Sequence, residues 1–545
     1  MRTRDIITGA FLLLLVMLTA CSSKSGSTAA TSPSSGVPTP SQHTDVLTYK
    51  YDVGRTGQNL TESVLTLTNV NSASFGLLRL LSVDGKVDAQ PLYLAGLSVQ
   101  GAKHNVLFIV TENDSVYAFD ADSGALLWQV SLLGSAENVN DLPSNGCDQV
   151  SPTIGITSTP VIDRAAGPNG MIFVVAMSKA NAAATYYQRL HALDVTNGAE
   201  MLNGPVDIVA TYPSQSGTTT FDPAQHEERA ALLLAAGTIY TSWTSHCDAP
   251  PYYGWIIAYR ESTLARSAVL NVAANSGGSG PSIWVSGGGL AADSSGNVYV
   301  LTANGAFETT LDANGFPSGG DYGNSFLKLS MSGVALSVVD YFTMANAVSE
   351  SSADQDLGSG GILLLPDQTD SSGIARHLAL GAGKDANLYV VNRDSMGKFN
   401  PSANNIWQQL TNALPGGIFS NPAYFNGTVY YGPVGAPLMA FPIHAAQLAQ
   451  VPSSTTAAKF SYPGTSPVVS ANGTSNAIVW AHENTNPAVL HAYDATNVAH
   501  ELYNSSQAGG RDQFGAGNKF ITPMVADGKV FVGTTVGVAV FGVLK

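Results

Sequence analysis

Four ionisable side chains stand in a row in "FDPAQHEERAALLL" (221–234): His226, Glu227, Glu228 and Arg229. An imidazole beside two carboxylates and a guanidinium is raw material for acid–base or metal chemistry. Consecutive residues of an extended chain point to opposite faces, so the four diverge along a strand. The stretch therefore reads as a solvated loop leading into one. "TTLDANGFPSGGDYGN" (309–324) offers Asp312, Asn314 and Asp321, oxygen donors of the kind calcium takes, without the spacing of a regular calcium loop. It reads as a long Gly-rich loop at one mouth of the fold. "GGRDQFGAGNKFITP" (509–523) adds Arg511, Asp512 and Lys519 as candidate ligand contacts. The sequence contains no nucleophile elbow, phosphate-binding glycine loop or zinc pattern.

There are 3 cysteines. Cys21 closes the apolar N-terminal run, leaving Cys147 in "SNGCDQV" and Cys247 in "TSHCDAP". In an oxidising compartment a lone pair is most simply a disulfide. Two free thiols, or a metal site using His246 and Asp248, are the alternatives.

The elements that position these residues repeat. "YAFDADSG", "HALDVTNG", "IAYRESTL", "LKLSMSGV", "YVVNRDSMG", "MAFPIHAA", "HAYDATNV" and "VAVFGVLK" recur down the chain. The better copies end a strand on Asp and place Gly a few residues on, as a tight hairpin requires. Ahead of most copies sits a further strand pair, the first often opened by Pro ("STPVID", "SNPAYF", "ITPMVA") and the second by Gly with Asn or Asp ("SGNVYVL", "NGTVYY", "DGKVFV"). Each unit is thus four short strands with a repeat of roughly 50–70 residues, and about eight units fill the chain. Four-stranded sheets that cannot cover both faces alone stack radially, which predicts an all-β, eight-bladed β-propeller with seven blades as the alternative count. The last unit lacks its outer strand, and "FGLLRLLSVDG" (75–85) is the segment expected to supply it, so that the two ends of the chain share the closing blade and leave no open edge.

Composition agrees. Hydrophobic residues make up 44% and charged residues 12% of 545, with 55 Gly and 27 Pro. The net charge of -15 argues against a nucleic-acid partner. "MRTRD" followed by "IITGAFLLLLVMLTAC" has the flanks of a signal peptide, and Leu18, Thr19, Ala20 and Cys21 resemble a bacterial lipobox. That resemblance implies lipidation at Cys21, with Ser22 favouring the outer membrane. Residues 1–21 are then the signal peptide, 22–43 a Ser/Thr/Pro-rich tether and 44–545 the propeller, expected to be monomeric.

The repeats, together with "YKYDVGRTGQNL" near the start, resemble quinoprotein-type (PQQ-like) propellers over about residues 46–545. Relatives of that kind include pyrroloquinoline-quinone alcohol dehydrogenases and outer-membrane assembly lipoproteins that bind no cofactor. Carried over residue by residue, the resemblance makes Trp284 the ring-stacking residue and Asn304 a cofactor-binding and calcium ligand. It makes Asp356 the catalytic base, with Asp354 as alternate, and Lys384 the quinone contact. Asp248 falls near the second calcium ligand, where the family carries Glu. The adjacent-cysteine disulfide of those dehydrogenases is missing, as is a haem-attachment motif. Each residue also has a plain role: Trp284 in the core, Asn304 in a turn, Asp354 and Asp356 as solvated charges in a loop, and Lys384 paired with Asp385. The expectation is a lipid-anchored binding or assembly module that offers a loop-lined face to a protein, glycan or small molecule. A dehydrogenase using pyrroloquinoline quinone and Ca²⁺ is the alternative.

Overall fold

The repeated hairpin explains itself in one copy. Between Ser115–Asp120 and Leu126–Ser131, Asp120 Oδ1 accepts the backbone N–H groups of Ser123 at 2.6 Å and Asp122 at 3.1 Å. Gly124 closes the turn at φ 80°. Asp194 repeats the arrangement on the N–H of Thr196 at 2.8 Å, with Gly198 at φ 72°. A carboxylate bonded to its own turn and a residue free to take positive φ reverse the chain locally.

The computed structural model describes residues 45–141 and 149–545. Its antiparallel sheets form eight blades in chain order, and helix is almost absent. Blades one to seven span 92–131, 161–207, 233–271, 291–343, 363–410, 423–460 and 468–504. We label the strands of each blade a to d outward from the axis. Blade eight is built from Met524–Ala526, Lys529–Thr534 and Gly537–Val543, and its outer strand is Phe75–Ser82. Phe75 lies opposite Val543 and Ser82 opposite Gly537, so the two ends of the chain share one sheet as expected. Blade five, the least regular in sequence, has the short strands Leu363–Leu364, Leu378–Gly381, Leu388–Asn392 and Gln408–Leu410.

Neighbouring blades cover each other's faces. Phe326 and Phe342 of blade four meet Tyr389 of blade five with ring centroids 6.4 and 6.1 Å apart, and each buried side chain of this size contributes about 2–3 kcal/mol. At the rim, a donor at or beside strand d reaches a carbonyl in the c–d turn of the next blade. Trp128 Nε1 donates to Val195 O at 3.1 Å, Trp407 Nε1 to Ala446 O at 2.7 Å, and Arg79 of the closing strand to Asp122 O at 2.7 Å.

The segment after residue 45 winds around the axis and touches every blade. Val46 exchanges two hydrogen bonds with Tyr93, and Leu47 O accepts the N–H of Ile162. Val53, Gly54, Thr56 and Gly57 carbonyls accept N–H groups of Ala292, Leu364, Tyr424 and Val469 in turn. Asn59 Nδ2 donates to Val525 O at 3.0 Å. Arg55, fully buried, donates to Leu232 O before blade three at 3.1 Å, to Leu290 O at 2.8 Å, to Thr48 Oγ1 at 2.7 Å and to Tyr49 O at 3.0 Å. Lys50 Nζ donates to the carbonyls of Asn421, Pro422 and Pro467. Innermost strands have one unpaired edge facing the axis, and this segment satisfies it.

The segments expected to be a signal peptide (1–21) and a tether (22–43), with Cys21, and also Cys147, lie outside the described residues. Among those described, no helix is long and apolar enough to cross a membrane.

Candidate functional site

In every blade the connection from strand d to the next strand a, and the loop from b to c, return to the same mouth of the ring. Residues far apart in sequence therefore meet there. A cavity of about 230 Å³ opens at this mouth, and Trp284, Asn304, Asp354, Asp356, Lys384 and Asp248 all line it. Trp284 comes from the connection into blade four, and Asp354 and Asp356 from the one into blade five. Asp248, Asn304 and Lys384 come from the b–c loops of blades three, four and five. The structure thus gathers every residue that the family pattern singled out around one cavity.

They form a connected set. Lys384 Nζ donates to Asp354 Oδ1 at 2.7 Å and stands 3.9 Å from Asp356 Oδ2. Asn304 Nδ2 donates to Asp354 Oδ1 at 2.8 Å, and its backbone N–H to Asp356 Oδ1 at 3.1 Å. Lys384 therefore pairs with Asp354 rather than with its neighbour Asp385, whose carboxylate accepts from Tyr389 Oη at 2.5 Å. Asp354 is exposed on the rim, whereas Asp356 is buried. Burial pushes the Asp356 carboxyl up to about 6, against the opposing pull of Lys384 and the Asn304 N–H. Burial also raises Asp248, offset by its hydrogen bond with Tyr252.

The wall carries unusual backbone. Cys247, Asp248, Ser286, Asp354 and Phe520 have φ of 52°, 54°, 47°, 56° and 64°. Non-glycine residues held there by their surroundings gather at ligand sites. Beneath the cavity, Asn421 Nδ2 donates to Val285 O at 3.3 Å while Asn421 O accepts from Lys50, tying the wall to the axial segment. Gly361 allows a close approach, since a Cβ there would lie 1.4 Å from Asn421 Oδ1 and force one of the two to shift.

Two sequence expectations change, for residues 226–229 and for Arg511 with Asp512, while 309–324 is the long loop expected. His226, Glu227, Glu228 and Arg229 are not a solvated loop: their exposures are 1, 2, 5 and 5%. They diverge along the chain as expected, but neighbouring blades cover both directions. His226 Nδ1 lies 2.9 Å from Asp222 O, and Glu227 Oε2 lies 3.2 Å from His246 Nδ1. Glu228 accepts the Ser242 N–H at 3.3 Å, and burial holds its carboxyl well above the usual range. Only Arg229 of the four joins the cavity wall. Arg511 and Asp512 are not ligand contacts at that cavity but clamp the closing strand. Asp512 accepts the N–H of Leu77, and Arg511 Nη2 donates to Phe75 O at 3.0 Å. Asp312 is spent on its own turn, accepting the N–H groups of Asn314 and Phe316, while Asp321 is buried and accepts the N–H of Asn275. Lys519 lines a second, more open depression with Asp84, Lys86 and Asn518.

Phe419, Tyr462 and Phe520 were not foreseen as cavity residues. They form a row, Phe419 to Tyr462 at 5.3 Å and Tyr462 to Phe520 at 6.2 Å between centroids, each supplied by a connection into blade six, seven or eight. Each lies, like Trp284 before blade four, in the connection that leads into a strand a, at differing distances from it.

Four rings, a lysine and an asparagine suit a planar polar organic ligand. A divalent cation fits less well. Among the described residues no three His, Cys, Asp or Glu side chains converge to hold a metal ion, and Asp354 already takes the donors of both Asn304 and Lys384.

Residues 56–200 match a family model described as "Outer membrane protein assembly factor BamB". No curated protein sequence matches the chain. Among solved structures, it is similar to quinohemoprotein alcohol dehydrogenase from Comamonas testosteroni, with TM-score 0.56, 14% identity and coverage of 92% of this chain and 80% of that one. A second similar structure is quinohemoprotein alcohol dehydrogenase ADHIIG from Pseudomonas putida HK5, with TM-score 0.57, 12% identity, and 92% and 80% coverage. A third is a europium-containing methanol dehydrogenase, with TM-score 0.55, 13% identity, and 91% and 98% coverage. Identities this low show a shared fold.

Proposed function

We propose, from the premise that this chain is a PQQ-like repeat β-propeller, that it is a cell-envelope binding protein whose loop-lined mouth takes a small planar organic ligand. The observation that carries this reading is the convergence of the connections into blades two to eight on one cavity with aromatic, cationic and acidic side chains in its wall. Envelope placement rests on the lipobox at Cys21 and on the matched family model, whose description is of an outer-membrane protein. A Cys147–Cys247 disulfide belongs to the same proposal: Cys247 lies in the cavity wall and is a bonded rather than a free sulfur. Labelling with radioactive palmitate that disappears in Cys21→Ser tests the anchor, and mass spectrometry without reductant tests the disulfide.

A quinone-dependent dehydrogenase is the second reading, favoured by the placement of Asp356 and Lys384 beside Trp284. A quinone bound there would supply a hydride acceptor. Asp356, buried and basic for an aspartate, would take the substrate hydroxyl proton, and Lys384 would stabilise negative charge across the cavity. Titration of the purified protein with pyrroloquinoline quinone, with and without Ca²⁺, separates the two through tryptophan fluorescence. Saturable quenching lost in Trp284→Phe and Asn304→Ala supports the dehydrogenase. Absence of quenching removes it and leaves the binding reading standing.

A further inference from the structure

A small cavity is set between blade two and the two connections that flank it, and it shares no residue with the one at the mouth. Its free space of about 10 Å³ has room for one ion or one water. Val175, Met177 and Gln188 of blade two border it, with Thr157 from the connection into that blade. Glu227 and Glu228, from the connection into blade three, complete the wall.

The polar side chains of this wall have only acceptors left to offer. Thr157 gives its hydroxyl proton to Glu112 Oε2 at 3.1 Å. Gln188 gives its amide N–H groups to His226 O at 2.8 Å and Pro223 O at 3.3 Å. Each keeps oxygen lone pairs and no free proton. Glu228 is 5% exposed; its Oε1 accepts the Ser242 N–H, and its Oε2 is buried without a hydrogen-bond partner. Both Glu227 oxygens are likewise buried without a hydrogen bond, 3.7 Å from Arg229 Nε and 3.2 Å from His246 Nδ1.

A water molecule here would find no donor for its own lone pairs, whereas a cation needs acceptors alone. Burying a carboxylate without a counter-ion is costly, and a bound cation would return that cost. Oxygen donors of this kind suit a hard ion, and two carboxylates suit a divalent one. Magnesium keeps several of its waters when bound, for which there is no space.

We propose that this cavity is a calcium site, with Glu228 and Glu227 supplying the charge and Thr157 and Gln188 the neutral oxygens. An ion there ties blade two to the connection into blade three. The site is independent of the ligand taken at the mouth.

Equilibrium dialysis of the chelator-treated protein against radioactive calcium tests it, with the thermal midpoint followed alongside. The expected results are one Ca²⁺ held per chain and a midpoint raised by about 3 °C or more at saturation, with neither Na⁺ nor Mg²⁺ doing the same. Glu228→Gln keeps the side chain's shape, removes its charge and should weaken calcium binding by about tenfold or more. Thr157→Val should weaken it severalfold, and supplies the answer where Glu228→Gln does not fold. Asn304→Ala, at the mouth, should leave it intact. The site is overturned if the unaltered protein binds no calcium, if Na⁺ raises the midpoint equally, if Glu228→Gln binds as before, or if Asn304→Ala abolishes binding.

Discussion

The backbone N–H of Leu77 donates to the Asp512 carboxylate at 3.0 Å across a sequence separation of 435 residues. Asp512 also accepts from Tyr503 Oη at 2.8 Å and pairs with Arg511 Nη2 at 2.6 Å. Asp512→Ala leaves a half-buried N–H and a buried hydroxyl without partners and is expected to cost about 3 kcal/mol. Urea denaturation measures it; a loss under about 0.5 kcal/mol would remove the clamp from the account of ring closure.

Arg55 is a more severe position. Its four acceptors, Thr48 Oγ1, Tyr49 O, Leu232 O and Leu290 O, lie on the axis and lose their donor in Arg55→Ala. The expected outcome is a loss above about 4 kcal/mol, with Arg55→Lys intermediate. A thermal midpoint unchanged in Arg55→Ala would mean that the axial segment does not stabilise the ring.

Asp356 sets a pH dependence. Burial, partly offset by Lys384 and the Asn304 N–H, moves its carboxyl from 3.8 up to about 6 in the folded protein. Between those values the folded chain binds more protons than the unfolded one, so this group's contribution to stability falls as pH rises from 4 to 6 and is level above it. The shift corresponds to roughly 2–3 kcal/mol. Asp356→Asn is expected to flatten that segment of the stability profile, measured by denaturation at fixed pH steps; an identical slope in the variant would refute the assignment.

Gly361→Ala places a methyl group 1.4 Å from Asn421 Oδ1 and must displace it or the backbone. A loss of at least about 2 kcal/mol is expected, with partial recovery when Asn421→Ser is added. Absence of any recovery would locate the strain elsewhere.

Turn chemistry made the fold readable. Asp120 with Gly124 and Asp194 with Gly198 act within a few residues, so their meaning survives without knowledge of the rest of the chain. The complementarity of residues 75–85 to the final hairpin was equally open, because a missing strand is a countable deficit. Burial was not. A strand's alternation reports which side a residue faces, and in this architecture both sides are covered by adjacent blades. His226 through Arg229 therefore looked polar and solvated although each is enclosed. Arg511 and Asp512 were misread for a related reason, since their partners Phe75 and Leu77 lie at the opposite end of the chain. Trp284, Asn304, Asp356 and Lys384 were legible as a set through the family pattern, whereas Phe419, Tyr462 and Phe520 stand at no fixed spacing before their strands and needed the closed ring to be seen as cavity residues.

The winding segment from Val46 to Asn59 imposes an order on synthesis. It emerges among the first parts of the chain, yet it bonds to Val469 and Val525, which are made almost last. Arg55 finds its acceptors by residue 290, whereas Lys50 waits for Asn421, Pro422 and Pro467. The hub is therefore fully paired only once the last blade is in place, because Asn59 closes onto Val525.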